Sequence, residues 1–368
     1  MSRSPAPLFE PFKWKGLTLP NRIVMAPMTR SRSPSQIPGD DVAAYYRRRA
    51  EGGVGLIITE GTAPAHPVAL NDDKVPNFHG DEALAGWTKV LREVKDAGGH
   101  IMPQLWHTGL MRKPGQGPNV HLPGKGPSGL ARPDKKVGEP MTHAEIDEVI
   151  EGYAVSARHA KQLGFDGVEI HGAHGYIVDQ FFWEGTNVRD DAFGGDMIKR
   201  TKFACDIVRA VRHAVGNDFP VLLRWSQWKQ QDFSVKLAPT PQALEKFLAP
   251  LCRAGVDIFH CSTRRFWEPE FEGSDLNLAG WTKKLTGLPT ITVGSVGLNE
   301  DFISTFAGKP SDLASLDHLI AMFERGDFDL VAVGRALIVN PNWPNMVKAG
   351  RHRELTPYHP EALGKALH

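Results

Sequence analysis

One repeated unit constrains the fold of this chain more than any other feature. A helical stretch runs into glycine, then a short apolar β-rich run, then polar residues of catalytic type. The unit appears at Glu51–Glu60 and at Ala97–His107, and again at Leu163–His171, Ala254–His260 and Gly326–Arg335. Further apolar runs at Arg22–Ala26, Pro220–Arg224 and Leu288–Val293 bring the strand candidates to eight. The runs are continuous rather than alternating, which predicts strands buried on both faces, as in parallel sheets.

Helical starts separate the strands. Asp40 and Asp41 precede Val42–Glu51, and Asp81 precedes Glu82–Ala97. Thr142 with Glu145 reads as a capping box before Ile146–Leu163. Thr240-Pro241 places a cap and a first-turn proline before a helix, and Asn340-Pro341 reads as the same device. Eight β-α units predict an α/β fold, a (β/α)8 TIM barrel. A doubly wound open sheet is the alternative. Two stretches stand outside the repeat. Phe9–Asn21 predicts an N-terminal β-hairpin lid around Lys15-Gly16, over the barrel bottom. Leu110–Pro140 is a long Gly- and Pro-rich loop after strand 3, read either as a cover for the pocket or as a tolerated insertion.

Bulk properties narrow the partners. With 43 basic and 42 acidic residues, net charge is +1, which lacks the positive field of a nucleic-acid or membrane-surface binder. No stretch nears the roughly 20 apolar residues of a spanning helix, and Met1–Pro7 has no apolar core for a secretory signal. Cys205, Cys252 and Cys261 have no short spacing, so neither a disulfide framework nor a zinc site follows. The expected location is cytoplasmic.

Barrel chemistry sits at the carboxyl ends of the strands. In chain order these ends supply Pro27, Met28 and Thr29; Glu60, Gly61 and Thr62; Gln104, Trp106 and His107; His171, His174 and Tyr176. Arg224, His260, Gly294-Ser295 and Gly334-Arg335 complete the circuit. Donors abound and carboxylates are few, a poor set for hard cations or for two-carboxylate glycosidase chemistry. Gly294-Ser295-Val296-Gly297 and Gly334-Arg335 follow the last two strands, where barrels often hold a phosphate. His171 and His174 could grip a carbonyl oxygen while the Tyr176 phenol delivers a proton. Core packing and metal ligation with His107 and His260 are the alternatives. Against the metal, the first strand lacks a His-x-His pair and the eighth offers Arg335 instead of a carboxylate.

Four ordered segments carry a family likeness. They are Asn21–Arg30; His171-x-x-His174-x-Tyr176 with Asp179-Gln180-Phe181; Asn187–Gly195 with Arg200; and Val331–Ala336. Together they resemble the Old Yellow Enzyme family of FMN-dependent ene-reductases over nearly the whole chain. The resemblance implies one FMN-binding (β/α)8 domain over residues 1–368 and NAD(P)H as reductant. Pro27, Met28 and Thr29 would line the flavin, Gly61 and Gln104 its pyrimidine side, and Arg224 its electron-rich end. Gly294, Ser295, Gly334 and Arg335 would bind phosphate. His171 and His174 would hold the substrate carbonyl, hydride would pass from flavin N5 to Cβ, and Tyr176 would protonate Cα. Trp106 would stand at the pocket wall, and His107 and His260 would be structural.

The implied activity is ping-pong reduction of the C=C bond of an α,β-unsaturated carbonyl compound. An oxidative demethylase or amine dehydrogenase on the same barrel, a metal-dependent hydrolase and a flavin protein without turnover are the other readings. Expected partners are a small activated alkene and NAD(P)H, with a homo-oligomer left open. Three places depart from the family. Trp225–Gln230 stands where Ser-Pro usually follows Arg224, Trp183-Glu184 replaces small or apolar residues, and Leu355–His368 gives no assignable lining aromatic beyond retaining Tyr358.

Overall fold

The computed structural model describes residues 3–367; Met1 and Ser2 of the polar start and His368 of the tail lie outside them. Strands β1 (Phe12–Trp14) and β2 (Leu17–Leu19) form an antiparallel hairpin turning at Lys15-Gly16. The barrel strands β3 (Ile23–Met25), β4 (Leu56–Thr62) and β5 (Ile101–Leu105) follow. A second hairpin, β6 (Leu130–Arg132) and β7 (Lys135–Lys136), interrupts the series. Then come β8 (Val168–His174), β9 (Val221–Lys229), β10 (Ile258–Ser262), β11 (Thr290–Val293) and β12 (Leu330–Val333). The eight barrel strands close in chain order, all parallel, with β12 beside β3. This is the predicted (β/α)8 barrel; the open sheet is excluded by closure.

Two cores explain the continuous apolar runs. Alternate residues such as Val24, Leu56, Met102, Leu222, Ile258 and Leu330 point inward, joined by Phe12, Leu17 and Leu19 of the first hairpin. The intervening strand residues pack outward on the helices, for example Ile57, Ile170, Leu223 and Phe259. Neither strand face meets water, as a barrel ringed by helices requires. The first hairpin is pinned by the Gly16 amide, which donates to the Asp218 carbonyl at 3.3 Å, and by a Lys15–Asp257 ion pair. It closes the barrel bottom.

Helix starts are partly corrected. The Thr142–Glu145 capping box is present at the helix His143–Leu163, and Thr240 caps Pro241–Ala254 by accepting from the Ala243 amide at 3.1 Å. Asp40, Asp41 and Asp81 sit inside the first turns, behind N-caps Gly39 and Gly80, where carboxylates favour the positive helix end. Asn340 does not cap the start of the next helix. It ends the helix Arg335–Val339, and its side chain exchanges hydrogen bonds with Thr356 of the tail (2.9 and 2.8 Å); the next helix begins at Trp343. The loop over 110–140 contributes no residue to the lining of the central cavity.

Candidate active site

At the carboxyl end of the barrel lies a cavity of about 470 Å³, within the range of small-molecule sites. It gathers Pro27, Met28, Thr29, Gln104, Trp106 and Arg224 with His171, His174 and Tyr176. Gly294, Ser295, Gly334 and Arg335 line its other end. Gly61 does not line it. A Cβ there would come within 2.5 Å of the Trp106 ring, so this glycine lets the indole seat against β4. His107 and His260 also stand outside the lining.

The His171–Tyr176 segment owes its shape to two left-handed residues. His174 has φ 65° and Gly175 φ 78°, which break β8 and swing Tyr176 to the start of the helix Ile177–Phe182. Left-handed backbone is uncommon for histidine and ordinary for glycine. The three rings then close on one another. The His171 centroid is 5.1 Å from both His174 and Tyr176, each pair nearly perpendicular, and Trp106 meets Tyr176 edge-on at 5.0 Å.

A backbone amide assigns the His171 tautomer. Nδ1 of His171 accepts from the Ala173 amide at 3.3 Å, so its proton is on Nε2. Ser262 Oγ accepts from Arg224 at 3.2 Å and lies 2.8 Å from His174 Nε2. A hydroxyl that accepts from Arg224 can give its own hydrogen to that nitrogen, an arrangement that leaves the His174 proton on Nδ1. Burial, then the Arg224 charge, pushes both imidazoles well below the ordinary histidine range. Both are neutral donors near pH 7. Burial raises the Tyr176 phenol, while Gln230 and Arg224 pull it down.

The departure after Arg224 wires β9 into this segment. Trp228 stacks on His174 with centroids 4.5 Å apart and planes 21° from parallel. The Lys229 ammonium meets the Asp179 carboxylate at 2.5 Å, both wholly buried, and Asp179 accepts the Gly175 amide at 2.7 Å. Gln230 donates to the Tyr176 hydroxyl at 3.0 Å, and Gln231 donates to the Gly175 carbonyl at 2.9 Å. Four successive residues thus hold His174, Gly175, Tyr176 and Asp179 of the opposite segment. Trp225, by contrast, is buried core against Phe247. Trp183 packs as buried core, and Glu184 lies 3.7 Å from Arg200.

The opposite end is rich in N–H groups and cations. Gly294 (φ 144°) passes so close to Thr263 that a Cβ would fall 2.7 Å from its carbonyl oxygen, and Ser295 is left-handed at φ 55°. Arg335 spends its terminal nitrogens on the Asp301 and Glu300 carbonyls, Thr305 and Ser295. It fastens the loop 295–301 and retains only Nε for a ligand. Arg264, unmarked by any local signal, also lines this end and pairs with Asp301 at 2.8 Å. Tyr358 and Leu363 of the tail complete the wall, and Arg335 lies 5.7 Å from the Tyr358 ring. Trp228 and Gln230 come from the departing loop already singled out, whereas Ser262 and Arg264 are among the lining residues that sequence reasoning missed.

Arg224 Nε and Trp106 Nε1 are buried without a partner among the described residues. Both belong to lining residues, and unpaired donors of this kind call for a ligand with acceptors. Together with Gln104 and the cationic far end of the cavity, they fit a flavin mononucleotide. A metal does not fit, because no group of three His, Cys, Asp or Glu among the described residues could hold one.

His107 is structural: its Nε2 meets His66 Nδ1 at 2.9 Å, and its Nδ1 accepts the Gly109 amide at 3.0 Å. Burial lowers the His66 pKa to about 4. Between about pH 6.5 and 4 the unfolded ring binds a proton that the folded ring refuses, so stability falls as pH falls through that window. Thermal melts of His66→Gln are expected to decline less steeply than wild type over that range. An unaltered slope would count against the neutral buried ring.

No helix among the described residues is long and apolar enough to cross a membrane. Residues 7–354 match the model of the NADH:flavin oxidoreductase / NADH oxidase family. The chain is 31% identical to the flavin oxidoreductase hxnT of Emericella nidulans, over 96% of this chain and 92% of that one. It is 33% identical to an NADH oxidase of Thermoanaerobacter brockii over 95% of this chain, but spans only 52% of that protein. A rice 12-oxophytodienoate reductase is 38% identical over 58% of this chain and 57% of its own. The chain thus spans about half the length of these last two relatives. Among solved structures, an Old Yellow Enzyme homologue of Zymomonas mobilis superposes with TM-score 0.79 at 28% identity, covering 97% of this chain and 96% of that one. Morphinone reductase in complex with tetrahydroNAD gives 0.77 at 28% identity, covering 97% and 93%.

Proposed function

The chain belongs to the NADH:flavin oxidoreductase / NADH oxidase family, that of the Old Yellow Enzymes, and from this premise we propose an FMN-dependent, NAD(P)H-driven reductase of α,β-unsaturated carbonyl compounds. One observation carries the reading. Two buried neutral imidazoles and one phenol converge on a cavity that also offers Arg224 and Gln104. FMN supplies hydride transfer in both directions, accepting from the nicotinamide and giving to the alkene.

The chain's own residues do the rest. Pro27, Met28, Thr29 and Gln104 would border the isoalloxazine, and Arg224 would favour the negative charge of its reduced form. The 294–295 turn, Gly334, Arg335 Nε and Arg264 would hold the phosphate. His171 Nε2–H and His174 Nδ1–H would grip the substrate oxygen and draw charge from the double bond. Being neutral, they polarise the carbonyl without forming a fixed ion pair with it. Tyr176 would hand its phenolic proton to Cα. Gln230 stabilises the phenolate left behind, and Trp228 holds the His174 ring against rotation. Gly61 acts through Trp106 alone.

The test is NADPH or NADH consumption under argon with cyclohexenone. Turnover dependent on the enone is expected, with FMN released on denaturation. A protein that yields no FMN sinks the flavin reading. Consumption that requires oxygen and ignores the enone would favour an oxidase, the activity in the Thermoanaerobacter relative's name.

A further inference from the structure

Two buried ionisable side chains that the proposed reaction leaves idle are joined at the floor of the cavity. Glu169 of β8 meets Gln104 of β5 at 2.7 Å and His260 of β10 at 2.6 Å. Gln104 is 3% exposed, and Glu169 and His260 are 0% exposed. A buried charge at such a place is costly and has to be held by partners. Barrel register sets them in two inward layers. Gln104 and Glu169 are paired neighbours in one, and His171, Arg224 and His260 form the next, toward the cavity.

The chemistry of a carboxylate dictates the hydrogens. It accepts and does not donate, so both neighbours must donate to it. Gln104 is obliged to turn Nε2 toward Glu169, which leaves Oε1 for the cavity that Gln104 lines. His260 must donate from Nδ1. Burial pushes its pKa down against the pull of Glu169, so the ring is neutral. Its Nε2 is then an unprotonated buried nitrogen, without a partner among the described residues. The single negative charge of Glu169 stands below the positive charge of Arg224.

We propose that Glu169, braced by His260, is a positioning residue for the flavin: it fixes the acceptor end of Gln104 toward the flavin's N–H edge and offsets the Arg224 charge. The proposal rests on FMN occupying this cavity with its pyrimidine side at Gln104. Two consequences follow from the charges. With Glu169 neutral, Arg224 acts unopposed on the reduced, more negative flavin, and the midpoint potential rises. With the carboxylate gone, the Gln104 amide is free to turn, and its NH2 can face the flavin N–H, donor against donor.

Glu169→Gln holoprotein is therefore expected to have a more positive flavin midpoint potential than wild type. It should also bind FMN roughly tenfold more weakly, the scale of one mispaired buried hydrogen bond, read as flavin fluorescence released on dilution. His260→Asn keeps a donor where Nδ1 stood and is expected to retain FMN like wild type. His260→Leu removes that donor and is expected to release FMN more readily. Should Glu169→Gln fail to fold, the Asn/Leu contrast at His260 still decides. Wild-type potential and FMN retention in Glu169→Gln would overturn the proposal, as would equal retention in the two His260 variants. Failure of the wild-type protein to hold FMN would sink the flavin reading itself, whereas FMN held normally by every variant would sink this proposal alone.

Discussion

Replacing Tyr176 by phenylalanine is expected to slow alkene reduction about 10²- to 10⁴-fold, the usual worth of a positioned general acid. Flavin reduction by NAD(P)H is expected to stay nearly unchanged. The substitution is clean because the phenyl ring keeps its edge contacts with Trp106 and His171, at 5.0 and 5.1 Å. It deletes only the hydroxyl and the bond from Gln230. Neutral His171 and His174 can still hold the carbonyl, but no remaining lining residue beside them offers a phenol's proton. Rapid mixing reads each half-reaction separately, as loss and return of the flavin band. Equal slowing of both would contradict the proton-donor role and point to a disturbed cavity.

The second large effect concerns stability. Lys229→Met is expected to cost about 3–5 kcal/mol, because it leaves the Asp179 carboxylate buried without its counter-charge. The pair is wholly inaccessible, and burial raises the Asp179 pKa while lowering that of Lys229. The double variant Lys229→Met, Asp179→Leu is expected to recover part of the loss, since it removes the charge along with its partner. Recovery should be incomplete, because the Gly175 amide then loses its acceptor. Urea unfolding of wild type, single and double variants checks this. A single-variant loss under about 1 kcal/mol would place the pair with weak surface contacts instead.

That ion pair also marks how far the sequence could be read. Barrel strands were legible because both faces are buried, so their apolar runs are unbroken. Thr142 and Thr240 were legible because a cap is a local device, completed within three residues. Asn340 looked equally local but is claimed by Thr356, a tail contact that no window around Asn340 contains. The β6–β7 hairpin was missed since its strands are three and two residues long and bury none of them, too short for any periodicity to show.

The candidate site divides along the same line. His171, His174 and Tyr176 share one turn and announce themselves together. Their supports come from other strands: Ser262 lies 88 residues beyond His174, and Lys229 lies 50 beyond Asp179. Glu169 looked like an ordinary strand residue, and His260, 91 residues away, was read as structural until the barrel closed and joined the two. Arg335 was found by its motif, yet its fork faces its own loop rather than a ligand, which only the folded loop 295–301 reveals.

In the proposed function one cavity takes hydride from NAD(P)H and gives it to an enone, with two neutral histidines and a tyrosine managing the oxygen and the proton. Its most direct test is a single anaerobic titration. Holoprotein bleached by one equivalent of NAD(P)H is mixed with cyclohexenone under argon, and the flavin band and the saturated ketone are followed together. Full return of the flavin colour with one equivalent of cyclohexanone is expected. A band that stays bleached until oxygen is admitted, with no ketone formed, would contradict it.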